Sequence, residues 1–273
     1  EQTPMRIPLL AILLSASAAG AADWPQWRGP TRDGVSAETG LLKEWPKGGP
    51  KLLWKANSGG VGYGSPVVVG DKVFVTAAED NKEGQKEVAL CLSATDGKPL
   101  WKVELPAGEG GYSTAWGSGP RSTPTVDGGF VYALGGRGAL VCLKAADGTK
   151  VWAVNLKADF GGGIESVLID GDRVICTPGG KSGALLALDK KTGAKVWQSE
   201  ELKDGAGYAS VMAAEVGGVR QYVTQTQQAA VGVRASDGKL LWRVTNLKRA
   251  VAVIPTPVVD GNLVFLTAGY GAG

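Results

Sequence analysis

Four stretches of this chain end alike, and their spacing constrains the fold more than any other feature. They are Cys91-Leu-Ser-Ala-Thr-Asp-Gly-Lys-Pro-Leu-Trp101, Cys142-Leu-Lys-Ala-Ala-Asp-Gly-Thr-Lys-Val-Trp152, Ala187-Leu-Asp-Lys-Lys-Thr-Gly-Ala-Lys-Val-Trp197 and Gly232-Val-Arg-Ala-Ser-Asp-Gly-Lys-Leu-Leu-Trp242. The tryptophans fall 51, 45 and 45 residues apart. Each repeat also opens alike. Ser65-Pro-Val-Val-Val-Gly-Asp-Lys-Val-Phe-Val75 returns as Thr123-Pro-Thr-Val-Asp-Gly-Gly-Phe-Val-Tyr132, as Ser166-Val-Leu-Ile-Asp-Gly-Asp-Arg-Val-Ile175 and as Thr256-Pro-Val-Val-Asp-Gly-Asn-Leu-Val-Phe265. The fourth repeat has a looser opening, Ser210-Val-Met with Gly217-Gly218 at the turn. Short apolar runs on either side of an Asp-Gly-type turn predict a hairpin, because these residues tolerate positive φ. A second hairpin follows, turning at Asp96-Gly97, Asp147-Gly148, Thr192-Gly193 and Asp237-Gly238.

Two hairpins per period give four antiparallel strands, the unit of a propeller blade. The expected fold is therefore all-β, a β-propeller of which about four and a half blades are present. Ten residues before each Trp stands a small residue, and four before it a Gly: Gly97, Gly148, Gly193 and Gly238. That spacing leaves room for the indoles of Trp101, Trp152, Trp197 and Trp242 to lie over a small side chain and over bare backbone. The three cysteines, Cys91, Cys142 and Cys176, have no metal-type spacing and read as small buried side chains.

Composition narrows function. Histidine is absent, which removes Ser-His-Asp and Cys-His catalysis and His-ligated zinc. The net charge of +3 is spread along the chain, so no nucleic-acid patch is expected. Met5-Arg6, the apolar run Ile7 to Leu14 and the small residues up to Ala22 read as a signal peptide over 1–22, with residues 1–4 upstream of the true start. The run is too short to span a bilayer, and no cysteine follows it to carry a lipid. The expectation is an exported protein, periplasmic or secreted, with neither a transmembrane nor a lipid anchor.

Ala187 to Trp197 matches the A-x-D-x-x-T-G-x-x-x-W docking motif of the PQQ-like (pyrroloquinoline-quinone repeat) propeller family at every fixed position. The other copies keep Gly and Trp but carry Ser93, Lys144 and Arg234 in place of the aspartate. The resemblance covers 52–273. It implies a ring around a central channel, of the quinoprotein alcohol dehydrogenase-like superfold, with each Trp bracing one blade against the next. Such rings usually have roughly seven or eight blades, so a C-terminally truncated chain is expected. Trp54 reads as an outer strand without its own preceding hairpins. Asp23-Trp-Pro-Gln-Trp-Arg-Gly-Pro30 resembles the mature N-terminus of exported PQQ-like proteins of planctomycete type. Residues 23–51 are expected to pack on the outside or bottom of the ring, with a partner-docking tail as the sharper alternative.

Several tempting motifs carry no chemistry. Gly179-Gly-Lys-Ser182 lacks the first glycine of a phosphate loop, Gly60-x-Gly62 lacks a third glycine, and Asp170-Gly-Asp172 reads as a hairpin turn. No catalytic residue and no metal site is predicted. Residues just before each first strand should rim the channel: Tyr63, Arg121, Glu165 and Tyr208. The Gly-rich insertion from Pro106 to Gly119 adds Tyr112 and Trp116 as candidate contacts. They would serve a non-catalytic scaffold binding a protein or other extracellular ligand, or merely plug the channel. The alternative that the resemblance implies is a dehydrogenase with PQQ and calcium, acting on alcohols or sugars. Many such enzymes carry a vicinal cysteine pair, and this chain has none.

Overall fold

A computed structural model describes residues 21–79, 86–107, 118–160, 165–246 and 252–269. Four four-stranded antiparallel sheets follow one another along the chain. The first blade holds β1 (Val67–Val69), β2 (Lys72–Glu79), β3 (Lys86–Ser93) and β4 (Pro99–Glu104). The second holds β5 (Thr125–Asp127), β6 (Phe130–Leu134), β7 (Ala139–Lys144) and β8 (Lys150–Asn155), followed by one short helical stretch, Leu156–Phe160. The third holds β9 (Leu168–Asp170), β10 (Arg173–Cys176), β11 (Leu186–Asp189) and β12 (Lys195–Gln198). The fourth holds β13 (Met212–Val216), β14 (Val219–Gln225), β15 (Ala230–Arg234) and β16 (Leu240–Val244). A two-stranded sheet of β17 (Val258–Asp260) and β18 (Leu263–Phe265) comes last. The loosely written opening of the fourth repeat folds as a regular hairpin, with Val216 opposite Val219. First strands of successive blades approach one another (β1 with β5, β5 with β9, β13 with β17), which makes them the inner strands.

The core lies between blades, so a middle strand is buried on both faces and its apolar run is nearly continuous. In the second blade Val131, Ala133, Val141 and Leu143 pack with Phe74 and Cys91 of the first. Their alternating neighbours Tyr132, Leu134, Leu140 and Cys142 pack instead with Val174, Cys176, Leu186 and Leu188 of the third. Ile175 and Ala187 then turn toward Tyr222, Val231 and Val233 of the fourth. All three cysteines are buried and free.

Each Trp stands opposite its small residue, in the pairs Cys91–Trp101, Cys142–Trp152, Ala187–Trp197 and Gly232–Trp242. The glycine is used differently from the simplest reading of its spacing. The ring of Trp101 covers Gly148, Trp152 covers Gly193 and Trp197 covers Gly238, so each indole lies over the hairpin of the following blade. Its Nε1 donates to a carbonyl there: Trp101 to Ala145 (3.1 Å), Trp152 to Lys190 (3.0 Å) and Trp197 to Ala235 (3.1 Å). Trp54 does the same on the first blade, covering Gly97 and donating to Ala94 (2.8 Å). Trp242 donates within its own blade, to Gln221 Oε1.

Candidate functional site

The inner strands begin with a hydroxyl residue in every blade, and these hydroxyls link neighbours. The Ser65 N–H donates to Thr123 Oγ1 (3.0 Å), the Thr123 N–H to Ser166 Oγ (2.9 Å), and the Ser210 N–H to Thr256 Oγ1 (3.2 Å). Thr125 Oγ1 adds a bond to the Val167 carbonyl (2.9 Å). The recurring Ser/Thr was visible in the repeat openings, but its inter-blade role was not, because a hydroxyl before a strand equally suits a turn.

The rim candidates separate into two environments. Tyr63 is 57 % exposed, and the Arg121 guanidinium sits 5.5 Å from its ring centroid. The backbone joins them as well, since the Tyr63 N–H donates to the Pro120 carbonyl (2.8 Å). Such a pair gains a modest cation–π attraction and fixes the orientation of an exposed aromatic ring. Tyr208 is also exposed, with its N–H on the Val253 carbonyl (2.7 Å). Glu165, by contrast, is buried. Its Oε1 accepts from the Thr177 N–H, and its charge acts on Arg32. It therefore does not join Tyr63 and Arg121 on an open rim. Tyr112 and Trp116 lie outside the described residues.

Arg32 escaped the sequence reading, as did the placement of the segment that carries it. Its first part, residues 23–32, bonds to the inner strands of three blades, where the outside or bottom of the ring was expected. Trp24 pairs with Val68 of β1, each N–H donating to the other's carbonyl (2.7 and 3.1 Å). The Pro25 carbonyl accepts from Val126 of β5 (2.8 Å). Arg32 Nη1 and Nη2 donate to the Val167 and Ser166 carbonyls just before β9 (3.0 and 3.2 Å). Burial pushes the Arg32 pKa down to about 10 against the opposing pull of Glu165, so the guanidinium stays charged at neutral pH.

A quinone cofactor with its cation would need converging carboxylates. Among the described residues no three His, Cys, Asp or Glu side chains gather closely enough to hold a metal. Glu165 is engaged by Thr177 and lies beside Arg32, and the inner edges of β1 and β5 face the chain's own N-terminal segment.

A family model described as outer membrane protein assembly factor BamB matches residues 84–272. The chain belongs to this family. BamB of Alkalilimnicola ehrlichii is 26 % identical over 215 residues, covering 77 % of this chain and 50 % of that protein. The chain thus spans about half the length of this curated relative. The crystal structure of BamB from Moraxella catarrhalis superposes with a TM-score of 0.51 at 18 % identity, covering 73 % of this chain and 54 % of that one. Quinohemoprotein alcohol dehydrogenase from Comamonas testosteroni superposes with a TM-score of 0.54 at 16 % identity, covering 83 % and 50 %. At these identities the structural likeness establishes the PQQ-like propeller fold that BamB and the dehydrogenases share. No helix among the described residues is long and apolar enough to cross a membrane.

Proposed function

We propose that this member of the BamB family is an exported, non-catalytic scaffold that binds a protein partner, in the manner of an outer-membrane assembly factor. Membership of the family carries the reading. Two features of the site support it. The inner edges of the first two blades are filled by the chain itself, where a bound cofactor would need open space. Tyr63, held against Arg121, offers an exposed aromatic surface beside a cation, a residue pair suited to protein contacts. PQQ plays no part in this reading.

Two measurements test it. Titration of the protein with PQQ and calcium, followed by absorbance and thermal shift, is expected to show no saturable binding. Saturation, with dye reduction on adding alcohols or sugars, would make the protein a quinoprotein dehydrogenase. The immobilised protein is expected to retain a purified outer-membrane β-barrel assembly complex, and the Y63A/R121E variant to retain less. Equal retention by both would remove the Tyr63–Arg121 face from the interface, and no retention by either would reject the assembly role.

A further inference from the structure

The N-terminal segment makes a set of bonds that a loosely packed tail would not. Asp23 Oδ1 accepts from the Gly70 N–H in the turn after β1 (2.8 Å). Trp24 and Pro25 take up backbone groups on the inner edges of two successive blades, and Arg32 reaches a third. The inner strand of a blade has a sheet partner on one side only, so every second N–H and C=O points to the axis. Val68 and Val126 occupy the same position in their blades, the middle residue of a three-residue inner strand. Both direct their N–H to the segment.

The segment is also folded on itself. The Trp24 ring covers Gly29, where an added Cβ would lie 2.8 Å from the indole, and φ at that glycine is +81°. Gln26 accepts from Arg32 Nη1 (3.0 Å) and donates to the Pro30 carbonyl (2.8 Å), while Arg28 donates to the Asp33 carbonyl (2.7 Å). Non-glycine residues rarely adopt positive φ, yet Arg28 (60°) and Arg32 (59°) both do. The guanidinium is buried among carbonyls with Glu165 beside it. Beyond Gly34 the chain is exposed through residue 53.

We propose that residues 23–33 form an axial strap: a segment that inserts along the inner strands, joins three blades by their unpaired edges, and closes that stretch of the axis to ligands. Arg32 is its anchor. A partner or small molecule then reaches the inner strands of these blades only if the strap leaves.

Hydrogen exchange in the full chain reads the strap directly, because the acceptors of the Val68 and Val126 amides belong to the strap alone. Both amides are expected to exchange at least about a hundred-fold more slowly than unprotected amides. Exchange at the unprotected rate would overturn the proposal. R32A is expected to speed both amides while leaving Val141 and Val231, in middle strands, protected. Because R32A also removes the cation that acts on Glu165, the R32A/E165Q variant separates anchoring from folding. It is expected to recover a cooperative melt yet keep Val68 and Val126 fast. If both amides return to wild-type protection in that variant, Arg32 is not the anchor. Finally, a protease site placed between residues 36 and 40 allows the strap to be cut from the intact protein. The released piece should stay bound through gel filtration, whereas its loss without change in the melt would reject a strap.

Discussion

Gly193 has φ +73°, and a Cβ there would sit 2.8 Å from the Trp152 ring. Two penalties therefore act at one atom, left-handed backbone and a clash with the indole that fastens the second blade to the third. G193A is expected to cost about 2 kcal/mol or more, and W152A about 3–5 kcal/mol, both read as shifts in the denaturant midpoint. A second residue is sensitive to pH. Glu87 is buried and accepts from the Gly136 N–H (2.8 Å), so burial, partly offset by these backbone donors, holds its pKa above the usual carboxylate value. A carboxyl whose pKa is raised by folding favours the fold fully below its unfolded value, and that contribution fades as pH rises through the folded one. The melting temperature of E87Q relative to wild type should accordingly become more positive from pH 4 to pH 7. A constant difference would contradict this. Neither Glu87 nor Arg32 was legible from the chain, because each meets its partners across blades, 49 and 134 residues away.

The second hairpins show how a repeat tolerates variation. In the third blade Asp189 Oδ1 accepts from the N–H groups of Lys191 and Thr192 and from the Thr192 hydroxyl. In the first blade, where the aspartate of the motif is missing, Ser93 Oγ takes its place, accepting from the N–H groups of Thr95 and Asp96 (3.2 and 3.4 Å). Asp96, Asp147 and Asp237 each accept from the N–H two residues on, as Thr192 Oγ1 does from Ala194. A carboxylate thus anchors every hairpin, and hydrogen bonding lowers each pKa, led by the Lys98 side chain at Asp96 (to about 2) and by backbone N–H groups at Asp147 and Asp237. At Asp189 the Thr192 side chain is the first cause. A depressed pKa stabilises the fold above the unfolded value and ceases to do so as pH falls through the folded one. Melting temperature should fall from pH 4 toward pH 2, and the D96N/D147N/D237N variant should show a shallower fall. At this scale the sequence was highly legible, since turn chemistry and two-residue periodicity are local. The exception was the glycine before each Trp, whose indole comes from the preceding blade. Spacing along one chain cannot tell an indole over its own hairpin from one over the next.

Across the whole molecule, blades are joined by three kinds of contact: interleaved apolar faces, indoles on the next hairpin, and hydroxyls along the inner strands. S166A removes the acceptor of the buried Thr123 N–H and is expected to cost about 1–3 kcal/mol. Because Tyr132 and Leu186, from different blades, share one cluster, near- and far-ultraviolet circular dichroism should report one coincident transition. Separate transitions would show the blades to be independent. The strap adds a constraint of another kind, on order in time. Arg32 is made early, but the carbonyls that hold it lie 134 and 135 residues later. A chain emerging amino end first therefore carries an unseated guanidinium until the start of the third blade follows it out. Whatever shelters that guanidinium in the interval acts on the same side chain that the finished molecule buries against the third blade.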